Sequence, residues 1–201
     1  MEIKDFSRFY SDHKSSTFQA SAINIGCNKN GTDDEDNLLR GEYEGINFPV
    51  VFKQERGKKL VDILGTGWPN LYLISDRMKD VLEENKLTGW KTFPITVYDK
   101  KKNEILGYHG LSVTGRCGPI DGTKAKIIDK QLIVNGPILK AYKGLYVGLD
   151  KWDSSDFFIP EGSRCFVITE KTAKILKDKK IKNTQLDNLS EIESIITNFS
   201  D

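Results

Sequence analysis

Seventeen residues recur at an offset of 94. LYLISDRMKDVLEENKL at positions 71–87 aligns without a gap over CFVITEKTAKILKDKKI at 165–181. Ile74, Leu82 and Lys86 are repeated as Ile168, Leu176 and Lys180, and Ser75/Thr169, Asp76/Glu170, Arg77/Lys171 and Val81/Ile175 match in chemistry. Each copy reads as a short apolar strand, then a hydroxyl whose oxygen caps a helix, then an acid at the helix's positive end. Met78, Val81 and Leu82 in one copy, and Thr172, Ile175 and Leu176 in the other, keep the i, i+3, i+4 spacing of one helix face. Upstream, Asp62-Ile63-Leu64 lies over Asp156-Phe157-Phe158 at the same offset. Any capped strand-to-helix turn needs these residue types. The echo therefore leaves two readings open: two similar turns, or two related halves that each set a short helix beside a sheet.

Most of the remaining pattern is β. Residues 18–25 and 46–52 are strand candidates, the second on a sheet edge or bulge because Pro49 has no N–H to donate. Residues 93–98 and 104–114, joined by the polar residues 99–103, have the form of a hairpin, with Gly107 and Gly110 marking a bulge or a close backbone approach. Residues 126–134 and 138–149 are further β candidates, and 115–122 reads as a loop. A last helix is expected from Ser190, with Ile192, Ile195, Ile196 and Phe199 on its apolar face. At 201 residues the chain is expected to be a single domain, with a less regular region over 1–60 and the repeated units within 61–201. The predicted class is α+β: a mostly antiparallel curved sheet with about three short helices.

The charge balance of 30 Lys+Arg against 29 Asp+Glu removes a strong global field, so a general nucleic-acid binder is not expected. No apolar run approaches the ~18 residues needed to cross a bilayer, and residues 1–10 lack the apolar core of a signal peptide, so no membrane partner is expected. Cys27, Cys117 and Cys165 are odd in number and far apart, which reads as thiols in a reducing compartment and hence a cytoplasmic location.

Catalytic signals are sparse. Gly65-Thr-Gly67 lacks the rest of a dinucleotide fingerprint, and two histidines without a Cys-x-x-Cys argue against structural zinc, so no cofactor is expected. Cys117, in GRCGP beside Arg116, with His109 eight residues upstream, is the one candidate nucleophile pair. Lys171, Lys174, Lys177, Lys179, Lys180 and Lys182 form either a solvated helix face or a contact surface for RNA or phosphate. Asp33, Asp34, Glu35 and Asp36 lie in a stretch that reads as a loop, either solvated or docking on a basic partner. Trp68, Trp90 and Trp152 stand beside element ends, as interface anchors or as covers over core edges.

The segments LYLISDRMKDVLEENKLTGW, FPITVYDKKKNEILGYHGL and DFFIPEGSRCFVITEKTAKILKD together resemble the bacterial immunity proteins of polymorphic toxin systems, nearest the families numbered eleven and forty-three in that series. The resemblance covers roughly residues 60–185. The second copy departs from it where Leu87-Thr88-Gly89 becomes Ile181-Lys182-Asn183. The resemblance implies a non-enzymatic cytoplasmic protein that binds a cognate toxin domain. Its motifs are structural, so no catalytic residue carries over. On this reading the acids at 33–36 and the three tryptophans are the candidate partner-binding residues.

Overall fold

The structure is a computed structural model and describes residues 1–12, 14–26, 33–134 and 136–195. The elements of the first part of the chain are β1 (Phe6–Ser11), β2 (Gln19–Ala22), α1 (Asp34–Arg40), β3 (Val50–Arg56), β4 (Ile63–Thr66), β5 (Tyr72–Ser75), α2 (Asp76–Glu84), β6 (Trp90–Phe93), β7 (Ile95–Tyr98), β8 (Glu104–Ile105) and β9 (Tyr108–Val113). They are followed by β10 (Gly115–Ile120), β11 (Lys126–Gln131), β12 (Ile138–Lys143), β13 (Val147–Gly148), β14 (Phe157–Pro160), β15 (Phe166–Thr169), α3 (Glu170–Asp178), β16 (Thr184–Asn188) and β17 (Glu193–Ile195). The class is α+β with curled, strand-rich sheets. All pairings between these strands are antiparallel except β2–β4, β3–β7 and β10–β14.

One sheet runs β6-β9-β5-β4-β2-β3-β7-β8 and a second runs β16-β1-β15-β14-β10-β13. Six strands of the first stand in the same order as the six of the second. β4, β5 and α2 precede β14, β15 and α3 by the offset of the sequence echo. The registers agree as well. Tyr108 of β9 lies opposite Ser75 as Phe6 of β1 lies opposite Thr169, and Leu111 lies opposite Thr92 as Phe9 lies opposite Leu186. β2 runs parallel to β4 as β10 runs parallel to β14. Of the two readings of the echo, related halves is the one the topology bears out. The halves exchange a strand: β1 opens the first half but sits in the second sheet, and β9 opens the second half but sits in the first.

Local chemistry forms each unit. Ser75 Oγ accepts from the Met78 N–H at 3.2 Å and Thr169 Oγ1 from the Thr172 N–H at 3.3 Å, which caps α2 and α3 as the spacing predicts. The apolar faces of the two helices then pack beneath them, burying Met78, Val81 and Leu82 in α2 and Thr172, Ala173 and Leu176 in α3. Past each helix the chain turns through positive φ at matched positions, Lys86 and Lys180 at 51°, then Gly89 at 80° and Asn183 at 70°. Asparagine is among the few non-glycine residues that visit this region routinely, so the change from Leu-Thr-Gly to Ile-Lys-Asn preserves the turn.

Two aspartates tie the halves together. Asp62 accepts from its own half, from Ser75 Oγ at 3.0 Å and Arg77 at 2.6 Å, and from the other half at the Lys182 N–H, 2.7 Å. Asp156 does the same in reverse, accepting from Thr169 Oγ1 at 3.2 Å and from the Thr88 N–H at 3.0 Å. Between the halves Phe9, Tyr72, Phe157 and Phe166 pack with ring centroids 5.8–6.5 Å apart in the main core. A smaller core holds Phe6, Cys117, Val147, Phe158, Val167 and Leu189.

Several expectations are corrected. Residues 33–36 are not a loop: Asp33 is the N-cap of α1 and the other three acids form its first turn, where the helix dipole favours negative charge. Residues 115–122 are mostly β10, whose glycines allow backbone contact. A Cβ on Gly115 would lie 1.9 Å from Ser155 Oγ. The expected return strand breaks at Gly107 (φ 80°), so β8 folds back on β7 while β9 leaves to pair with β5 and β6. Pro49 lies on neither an edge nor a bulge; it precedes β3, an interior strand between β2 and β7. The segment from Ser190 is a single 3-10 turn, Leu189–Glu191, capped by Asn188, followed by β17 paired to β12. Ile196, Phe199, Cys27 and His13 lie outside the described residues.

Removing one buried partner of an ion pair leaves the others unpaired. Asp62→Ala is expected to cost about 3 kcal/mol in urea unfolding, and the more exposed Asp156→Ala about 2 kcal/mol. A Cβ on Gly89 would lie 2.0 Å from the Phe157 carbonyl. Gly89→Ala is therefore expected to cost upward of ~2 kcal/mol, while Asn183→Gly costs about 1 kcal/mol through its lost bond to the Ile63 carbonyl.

Candidate partner-binding site

α1 is held by its apolar residues and by its C-terminal end. Leu38 and Leu39 are buried, the Leu38 carbonyl accepts from Ser112 Oγ, and Arg40 donates to the Ser163 carbonyl at 2.6 Å. Gly41, at φ 77°, ends the helix. This docking leaves the acidic first turn half-buried at the rim. Asp34 accepts from the Gly26 N–H at 3.0 Å, and Asp36 is bound by both Arg164 Nε and NH2 at 2.5 Å. The Arg164 guanidinium holds the Asp36 carboxyl below the usual carboxylate range. Burial pushes the Glu35 carboxyl up, helped by the charges of Asp33, Asp34 and Asp36.

Arg164 also lies over the Trp68 ring, 5.4 Å from its centroid. Its carbonyl accepts from Asn70 Nδ2 at 2.9 Å, and Asn70 Oδ1 accepts from the Tyr72 hydroxyl at 2.8 Å. Asn70 and Arg164 occupy matching positions of the two halves, so these contacts mark the junction. Beside them opens a cleft of about 370 Å³, lined by Arg8, Tyr10, Asn70, Ser163, Arg164 and Cys165. Arg8 and the Tyr10 hydroxyl both reach Asp187, at 2.6 and 3.1 Å.

The structure thus brings the acidic run and Trp68 together. Trp90 and Trp152 lie elsewhere. Trp90 donates to the Leu87 carbonyl at 2.8 Å and packs against the main core. Trp152 donates to the Ser155 carbonyl at 3.2 Å and meets Phe6 edge-on at 5.1 Å. Arg164 and Asn70 were not singled out from the sequence. Their signal is positional, since each sits two residues before its half's apolar strand β5 or β15.

Cys117 is buried in β10, its Sγ 3.3 Å from the Gly118 carbonyl, and burial pushes its thiol up to about 12. An activated nucleophile needs the opposite shift. His109 is engaged by Asp76 at 2.7 Å. The six lysines of α3 and its following turn remain on the exposed side. No helix is long and apolar enough to cross a membrane among the described residues.

The model of an immunity protein family, Imm11, matches residues 5–190 and so includes most of the N-terminal 60 residues that the sequence resemblance leaves out. No curated protein matches the chain.

The Asp36–Arg164 pair carries a pH signature. Because the Asp36 carboxyl is depressed in the folded state, the pair's stabilisation is present above the unfolded Asp value of ~3.9 and is lost as pH falls through the folded value. Arg164→Ala is expected to cost about 1 kcal/mol at neutral pH. Denaturation of the two proteins at pH 7 and at about pH 2–3 should show that gap closing in acid.

Proposed function

The chain belongs to the Imm11 immunity protein family, and from that premise we propose that it is a non-enzymatic cytoplasmic protein that binds a cognate toxin domain and blocks its active site or substrate path. The observation that carries this reading is the family match across residues 5–190. The buried, proton-retaining Cys117 supports the non-enzymatic part, because it removes the one nucleophile pair the sequence offers.

For the docking face we favour the rim of α1, where Asp33, Asp34 and Glu35 stand beside Trp68. Charges at a rim steer encounter and fix register, and a neighbouring aromatic supplies apolar contact. This face fits a toxin surface that is basic where it meets α1. Asp36 takes a positioning role, since Arg164 neutralises it. Trp90 and Trp152 are weaker anchors, because both spend their indole N–H within the chain.

Co-expression with the cognate toxin tests the proposal. Growth should be rescued and the two chains should co-purify at fixed stoichiometry; toxicity undiminished by the protein would count against it. Trp68→Ala is expected to weaken the complex by about 2 kcal/mol, roughly 30-fold. Asp33→Asn should slow association and flatten its salt dependence, with stability changed by only ~0.5 kcal/mol or less, because asparagine suits the N-cap as well as aspartate does.

A further inference from the structure

Six of the large apolar side chains exposed among the described residues lie between positions 127 and 142: Ile127, Leu132, Ile133, Val134, Ile138 and Tyr142. This segment is the β11–β12 hairpin and its tip, which with β17 forms the third sheet. Strand alternation sorts its residues onto two faces. On one, Ala141 is buried and Ile128, Lys130, Leu139 and Lys143 are half-buried. On the other, all six residues are exposed, in three cross-strand rungs: Ile127 opposite Tyr142, Asp129 opposite Lys140, and Gln131 opposite Ile138. Ile138 is 69% and Val134 87% exposed, so this is apolar area in water rather than the margin of a core.

We infer that this outer face of the hairpin is where a second copy of the chain docks, face to face about a twofold axis parallel to the strands. Two observations select a second copy. The first is area. Ile127, Ile138 and Tyr142 on the face, with Leu132, Ile133 and Val134 at the adjoining tip, give each protomer an apolar patch of the ~300–600 Å² class, the size of a weak interface rather than the ~800 Å² per partner of an ordinary one. The second is charge. The central rung is an ion pair, Lys140 Nζ to Asp129 Oδ1 at 2.5 Å, so the face is neutral and carries one charge of each sign. Rotation about an axis parallel to the strands sets Asp129 over Lys140 of the second copy and Ile127 over its Tyr142. The face is therefore complementary to itself, with apolar contacts flanking a four-charge centre. Among the described residues β11 pairs with β12 alone, and the exposed Lys126 at its start discourages edge-to-edge pairing, which leaves the face as the contact. The inference is independent of toxin binding.

Sedimentation equilibrium over a concentration series up to about 200 μM tests it. The expected result is a monomer–dimer equilibrium between 22.8 kDa and twice that mass, with a micromolar dissociation constant. Ile127→Asp and Ile138→Asp should each leave the protein monomeric at an unchanged melting temperature. Asp129→Lys and Lys140→Asp should each weaken the dimer at least tenfold, and the double exchange should restore it, because every Asp again faces a Lys. A monomer at the highest concentration, association that continues past two copies, or a dimer indifferent to these substitutions would overturn the inference. A monomer that buries the hairpin only in a toxin complex would assign the face to that partner and equally overturn it.

Discussion

β1 is hydrogen-bonded between β15 and β16, and β9 between β5 and β6. Each half thus completes its run of six matched strands with a strand that belongs, by chain order, to the other. Backbone donors and acceptors in a sheet interior have no inexpensive alternative partner, so this exchange constrains everything built upon it. Phe9 enters the main core only because β1 crosses over, and there it meets Tyr72, Phe157 and Phe166. Asp62 and Asp156 fasten the same junction from the helix side, each dividing its oxygens between its own half's cap and the turn that follows the other half's helix.

The candidate site lies where the two halves differ both in chemistry and in backbone, with Asn70 at φ 63° in one turn and Gly162 at φ 71° in the other. Asn70 matches Arg164, Tyr72 matches Phe166, and Trp68 matches Gly162. The bond from Asn70 to the Arg164 carbonyl joins these turns at the junction, and the unequal side chains give that junction direction: a guanidinium from one half, an indole and a carboxamide from the other. α1 adds its acids to this asymmetric spot, and Asp36 is drawn into an ion pair that stacks Arg164 on Trp68.

What was legible in the sequence was local. The cap hydroxyls at Ser75 and Thr169, the acids after them and the apolar spacing of α2 and α3 act within a few residues, and the structure reproduces them. α1 was hidden because its composition is that of a solvated segment and only Leu38 and Leu39 reach the core. β10 was hidden because its glycines, needed for close approach to Ser155 and Gly148, look like loop residues. The strand exchange and the Arg164–Asp36 pair depend on partners far apart in the chain, 128 residues in the case of the pair, and no window of sequence contains both sides. The acids and Trp68 could be proposed separately from residue type; their meeting could not.

The exchange also sets an order of events during synthesis. All eight strands of the first sheet have been made once residue 113 has emerged, so that sheet can close early. β1, made before any of them, cannot join it in the native fold, because its neighbours begin at Phe166 and end at Asn188. At roughly 5–20 residues per second, the first strand of the chain waits on the order of ten seconds for its partners. Throughout that interval Phe6 and Phe9 lack their native cover, and the apolar surface of Tyr72 that Phe9 will fill stays open. The nascent protein therefore carries a finished first sheet beside a strand whose own partners do not yet exist, a state in which a chaperone's apolar grip is most useful.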